Sequence, residues 1–171
     1  GGVRRAGAAR LSLRDHRARR RRPLRDERSA VRAAGSMDTT IADFAQFAAG
    51  FVRGDGVSRD TRAEIVRPML PITVASQFPV LQPELPAARR RPDLASGLGV
   101  LAFAGPQGVG FMRGGHNDWT GNIWVCLEAR RRCVVVLSND VRAESEFARI
   151  VAFILGETGA PWEFVYGAGG Q

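Results

Sequence analysis

Residues 109–140 read VGFMRGGHNDWTGNIWVCLEARRRCVVVLSND, and this stretch decides the fold. It divides into strands. The first, about 109–116, closes on Gly114, Gly115 and His116, and the polar run Asn117 to Asn122 follows. Ile123-Trp124-Val125-Cys126-Leu127 carries the second, about 122–128. A basic turn, Ala129 to Arg132, returns the chain as Cys133-Val134-Val135-Val136-Leu137 in a strand of about 133–138. Runs of β-branched and aromatic residues bounded by Gly, Asn and Asp read as strands because such side chains pack well on a pleated surface. The last run is apolar at every position, which predicts burial on both faces.

Outward from this stretch, residues 97–104 predict a further strand, joined to 109–116 by the turn Gly105-Pro106-Gln107-Gly108. A helix is expected over 143–155, with Phe147, Ile150, Val151 and Ile154 on one face. Upstream, a helix over 41–53 is announced by Thr40 and Asp43 at capping-box spacing, with Asp standing in for Glu. Ile41, Phe44, Phe47, Ala48, Phe51 and Val52 recur on one face as a core stripe, and Gly54 supplies the stop. Ser58 caps a second helix, 59–67, which Pro68 ends. Residues 68–95 hold six prolines and the triplet Arg89-Arg90-Arg91, so they read as a functional lid or a poorly ordered loop with solvated arginines. In the tail, 161–171, Trp162, Phe164 and Tyr166 are candidate packing contacts. The fold class is α+β, an antiparallel sheet with flanking helices.

A chain of 171 residues has room for one ordinary domain. Its net charge of +8 is unevenly spread. Residues 1–35 hold 12 arginines against Asp15, Asp26 and Glu27, whereas residues 36–171 hold 13 against 14 acids. There is no lysine: every basic residue is arginine. The Arg-rich segment 1–34 has three readings: a disordered basic tail, an arm for nucleic acid or an anionic surface, or sequence read out of frame from a GC-rich gene. No aromatic residue is interleaved to stack on bases, which disfavours nucleic acid, and the out-of-frame reading is preferred. His16 lies in this segment and carries no role. Cys126 and Cys133 are too few for a disulfide framework, and buried reduced thiols are expected, although neighbouring strands would let them face each other. No apolar run approaches the ~20 residues of a membrane span, and no apolar stretch follows Arg4-Arg5 as a signal peptide would need.

The glycine-rich lead-in to His116, the Thr120-Gly121 step, the next strand and Val134-Val135-Val136-Leu137-Ser138-Asn139 resemble the last third of the serine β-lactamase, penicillin-binding and esterase superfamily. GSMDTTIADFAQF, residues 35–47, resembles that superfamily's glycine-to-helix element, and SGLGVLAF, residues 96–103, its Tyr-Gly-Leu-Gly-Trp strand, with Ser96 at the aromatic position. The resemblance covers about residues 35–155 and implies a partial β-lactamase/transpeptidase-like fold. In that superfamily a Ser of Ser-x-x-Lys attacks a carbonyl, Lys and the Tyr of Tyr-x-Asn move the proton, and backbone N–H groups hold the oxyanion.

By resemblance, His116 takes the cation position of the third motif and the Trp119 N–H the role of oxyanion donor. Asn117, Asp118, Thr120 and Gly121 are the implied substrate contacts, and Phe78 and Leu81 would line the cleft. Asp118 stands where the superfamily has Gly; its carboxylate disfavours an anionic substrate and favours a neutral ester or amide. A second register, Trp119-Thr120-Gly121, leaves too few turn residues before the next strand. The commonplace reading of His116 is a turn residue bonded to its neighbours. Without lysine there is no Ser-x-x-Lys, and the single tyrosine, Tyr166, is followed by Ala168 where Tyr-x-Asn needs Asn.

The expectation is therefore the C-terminal part of such a hydrolase, acting on an ester, amide or β-lactam in the intact protein and inactive alone. No cofactor and no metal are implied. Strand 133–138 would normally pair with an N-terminal strand, so its edge is expected to promote self-association. The rival is a non-catalytic binding protein with a basic N-terminal arm.

Overall fold

The computed structural model describes residue 35 and residues 37–167. The chain divides after Asp38, and the architecture below is that of the second unit, Thr39–Gln171. The expectations for residues 1–34 lie outside the described residues.

Two α-helices come first, α1 (Ile41–Arg53) and α2 (Arg59–Val66). Six strands follow: β1 (Leu70–Pro71), β2 (Ala95–Ser96), β3 (Leu101–Gly105), β4 (Gly108–His116), β5 (Gly121–Leu127) and β6 (Arg132–Ser138). A 3-10 helix, Val141–Glu146, leads into α3 (Phe147–Leu155), and α4 (Trp162–Tyr166) closes the body. The sheet is an antiparallel meander in the order β1-β2-β3-β4-β5-β6. The class is α+β.

Side-chain alternation assigns the two faces, since neighbouring residues of a strand point to opposite sides. Ile123, Val125 and Leu127 of β5 join Leu101, Phe103 and Met112 in a core closed by Phe147, Val151 and Leu155 of α3. On the other face Trp124 and Cys126 meet Phe111 and are covered by Ala48 and Val52 of α1 and Val66 of α2. Trp124 lies 5.4–6.1 Å, centroid to centroid, from the rings of Phe44, Phe47, Phe51 and Phe111. Arg62 of α2 ties the layers together: it donates to the Glu128 carboxylate at 2.8 and 3.0 Å and to the Phe51 carbonyl at 2.8 Å.

Local chemistry sets the ends of these elements. Thr40 caps α1 by accepting from the Asp43 N–H at 3.1 Å, and Gly54 ends it in the left-handed region at φ 89°. Ser58 caps α2 in the same way, accepting from Thr61. The β3–β4 hairpin turns on Pro106-Gln107, and the Gln107 amide donates to the Leu155 and Glu157 carbonyls, which the end of α3 would otherwise leave unpaired.

Several expectations need correction. Cys126 and Cys133 form a disulfide rather than two thiols, because they are direct cross-strand partners with Cα atoms 4.1 Å apart. Strand 133–138 is only half-buried apart from Val134, because β6 is the last strand of the sheet among the described residues. Residues 97–100 are a turn, with Gly97 N–H bonded to the Val100 carbonyl, so β3 begins at Leu101. In α3 the buried row is Phe147, Val151 and Leu155, while Ile150 and Ile154 face outward with Phe153. The α1 stripe buries Ala48 and Val52 but leaves Ile41 and Phe47 half exposed.

The long loop 68–95 is bonded to the body. It contributes β1 and β2, and backbone bonds tie Leu85 to Thr73 and Gln77 to Phe164. Its arginines are not all solvated: Arg90 pairs with Glu84, and Arg91 pairs with Asp93 and donates to the Gly159 carbonyl.

Candidate functional site

The β4–β5 hairpin places His116 and its successors at one end of the sheet. Asn117 organises the loop: its Oδ1 accepts from the N–H groups of Trp119 at 2.8 Å and Thr120 at 2.9 Å. Its own N–H donates to the Thr120 carbonyl at 3.0 Å. This is the local bonding that makes Asn a turn residue. Two implied roles change with it. The Trp119 N–H is engaged inside the turn instead of facing a developing oxyanion, and the Asn117 side chain holds the loop rather than a substrate. Asp118 and Thr120 are exposed at the loop tip.

His116 is the cross-strand partner of Gly121, and Gly121 is the partner of Ser138. The three residues form a row across β4, β5 and β6. Two strand spacings separate His116 from Ser138, about 10 Å, and the Ser138 hydroxyl donates to the Asp140 carbonyl at 2.9 Å. A nucleophile and its base need hydrogen-bond contact. His116 and Ser138 are therefore not such a pair.

The residue that does reach His116 is Glu144, which the sequence reading did not identify. It sits in the 3-10 helix Val141–Glu146, whose start is fixed by Asp140 accepting from the Arg142 N–H at 3.0 Å. The carboxylate lies over Gly121, where a Cβ would stand only 2.7 Å from both Cγ and Oε1 of Glu144. The space beside Gly121, implied to admit substrate, is thus filled by a side chain of the protein. Oε1 is 3.3 Å from His116 Nδ1, with side-chain exposures of 13% for Glu144 and 50% for His116. Burial pushes the Glu144 carboxyl above its ordinary value, and His116 pulls it back.

Tyr166 of α4 approaches from beside Gly114, with its hydroxyl 3.1 Å from the position a Cβ there would take. Burial, then the Glu144 charge, raise its phenol well above the usual range. The ring stands edge-on to Phe147 and stacks on Trp162. Glu144 Oε1 and Tyr166 Oη are buried with no directed hydrogen bond among the described residues. The only sequence sign of this cluster is the pair Gly114 and Gly121, small residues cleared from one face of adjacent strands.

A cavity of about 550 Å³ lies elsewhere, walled by Ile72, Leu85, Leu94, Trp162 and Phe164, with Arg89 and Arg91. Phe78 and Leu81 do not line it; they are 60% and 94% exposed. No His borders that cavity. Among the described residues no cluster of His, Cys, Asp and Glu could hold a metal ion, and no helix is long and apolar enough to cross a membrane. No family model, curated protein or solved structure matches this chain.

Proposed function

We propose that this body is the C-terminal part of a serine β-lactamase-like hydrolase, performing acyl transfer on an ester, amide or β-lactam once a nucleophile-bearing segment completes it. The observation that carries the reading is the placement of His116. It closes the nine-residue strand β4 at a rim where its ring is half exposed. An antiparallel meander runs from there to β6, whose outer edge carries no further strand among the described residues, and then to a helix across one face. In this reading His116 steadies the substrate carbonyl or the proton relay, while Ser-x-x-Lys and Tyr-x-Asn come from the completing segment. Asp118 at the rim favours a neutral ester or amide over an anionic substrate. With the Trp119 amide engaged, oxyanion donors must come from the nucleophile side.

Apolar surface left open supports an absent partner segment. Ile41 and Phe47 of α1 and Phe153 and Ile154 of α3 are each more than half exposed. A groove of about 250 Å³ runs between α1 and β6, lined by Ala45, Ala49, Cys133 and Val135. A strand added to β6 would be covered there by α1.

Sequencing the gene upstream and translating all three frames tests the reading. A frame that carries Ser-x-x-Lys and Tyr-x-Asn and joins this one near Gly35 is the expected result. If no frame carries them, the hydrolase reading fails.

A further inference from the structure

We propose that Glu144 is the positioning residue of His116: its carboxylate, seated on Gly121, holds the imidazole by Nδ1 and turns Nε2 outward. Four features of the cluster carry this. First, Glu144 Oε1 stands 3.3 Å from Nδ1 and is much the less exposed of the two side chains, so the carboxylate is the fixed wall and the ring its exposed end. Second, the carboxylate occupies space that exists only because residue 121 has no side chain. Third, Glu144 sits on a capped helical turn, which fixes its backbone. Fourth, the Tyr166 hydroxyl fills the equivalent space beside Gly114, two residues before His116 on the same face. Two glycines on one face of adjacent strands are each filled by a polar group from the helical layer. That is costly on an otherwise apolar face, and sequences accept such local cost mainly where a site is being built.

The chemical consequence concerns the tautomer. A carboxylate 3.3 Å from Nδ1 favours the tautomer with its proton on that nitrogen, because the positive end of the N–H bond then faces the negative charge. The neutral ring then offers the Nε2 lone pair outward, and the charged ring offers the Nε2 proton. In both states the working atom is Nε2. Its use on a substrate carbonyl rests on the hydrolase reading, whereas the positioning itself does not.

The test is a two-bond ¹H–¹⁵N correlation spectrum of the full chain at about pH 8.5, above the ordinary imidazole range. The chain has two histidines, so His16→Gln assigns the His116 signals. The expected result is an Nδ1–H tautomer in the native chain. In Glu144→Leu, which removes the charge beside Nδ1, the ratio of Nδ1–H to Nε2–H should fall about fivefold or more, the weight of about 1 kcal/mol of lost attraction. If Glu144→Leu does not fold, Gly121→Ala displaces the same carboxylate and should move the ratio in the same direction. An Nε2–H tautomer in the native chain overturns the proposal, as does an unchanged ratio in the folded variant. No turnover enters this measurement, so its failure removes the positioning role and leaves the hydrolase reading to the upstream sequence.

Discussion

At the scale of single residues, Glu144 and Gly121 behave as one unit, and each gives a prediction. Burial raises the Glu144 carboxyl above its unfolded value. The folded protein therefore binds more protons than the unfolded chain in the window just above the ordinary glutamate range. Stability from this group is complete below that range and is lost as pH rises through the raised folded value. Glu144→Gln removes the loss, so the variant should gain on the native chain between about pH 4 and pH 8. Urea unfolding at both pH values checks this; a gap that stays flat or shrinks would count against it. Gly121→Ala should cost about 1–3 kcal/mol by overpacking, since the new methyl meets Glu144 at 2.7 Å. Gly115→Ala is the control: its nearest neighbour would be Asn122 at 3.6 Å, an ordinary contact. It should be neutral or slightly stabilising in the same melts. None of this was legible along the chain. His116 announced itself as a polar residue ending a strand, but its partner lies 28 positions later in a segment without a motif.

At the scale of elements, the hairpins follow their turn chemistry closely, with one exception. Arg131 closes the β5–β6 turn at φ 47°, in the left-handed region that a Cβ disfavours. Arg131→Gly should relieve this and stabilise the chain by about 0.5–1 kcal/mol, net of glycine's greater freedom when unfolded. A lower thermal midpoint for the variant would contradict that. Helix α3 shows where periodicity stops short. The stripe Phe147, Ile150, Val151, Ile154 and the row Phe147, Val151, Leu155 are both consistent with a helical repeat. The sheet selected the second, burying Leu155 and leaving Ile150 and Ile154 outside. The cross-strand pairing of Cys126 with Cys133 has the same origin, because it depends on the register that the turn at 128–131 imposes.

At the scale of the whole molecule, the decisive feature is that, among the described residues, no strand lies beyond β6. Its open edge lies beside the α1–β6 groove and invites a further strand, supplied by a completing segment or by a second copy. A charge on such an edge blocks pairing. Leu137 is half-buried and belongs to neither core cluster, so Leu137→Lys should suppress self-association with little loss of fold. Sedimentation at rising concentration would show this as a shift toward monomer; equal association in both proteins would clear the edge of responsibility.

The sequence by itself determined the α+β class, the helix caps and the stretches of β4, β5 and β6. These depend on side-chain period and turn chemistry, which act over a few residues. Only the tertiary structure decided that Glu144 reaches His116, that the Tyr166 hydroxyl lies beside Gly114, that Asn117 takes up the Trp119 amide, and that backbone bonds tie the proline-rich loop to the body. Each of these depends on where separate segments come to rest against one another, and that is settled by register, packing and burial across the sheet.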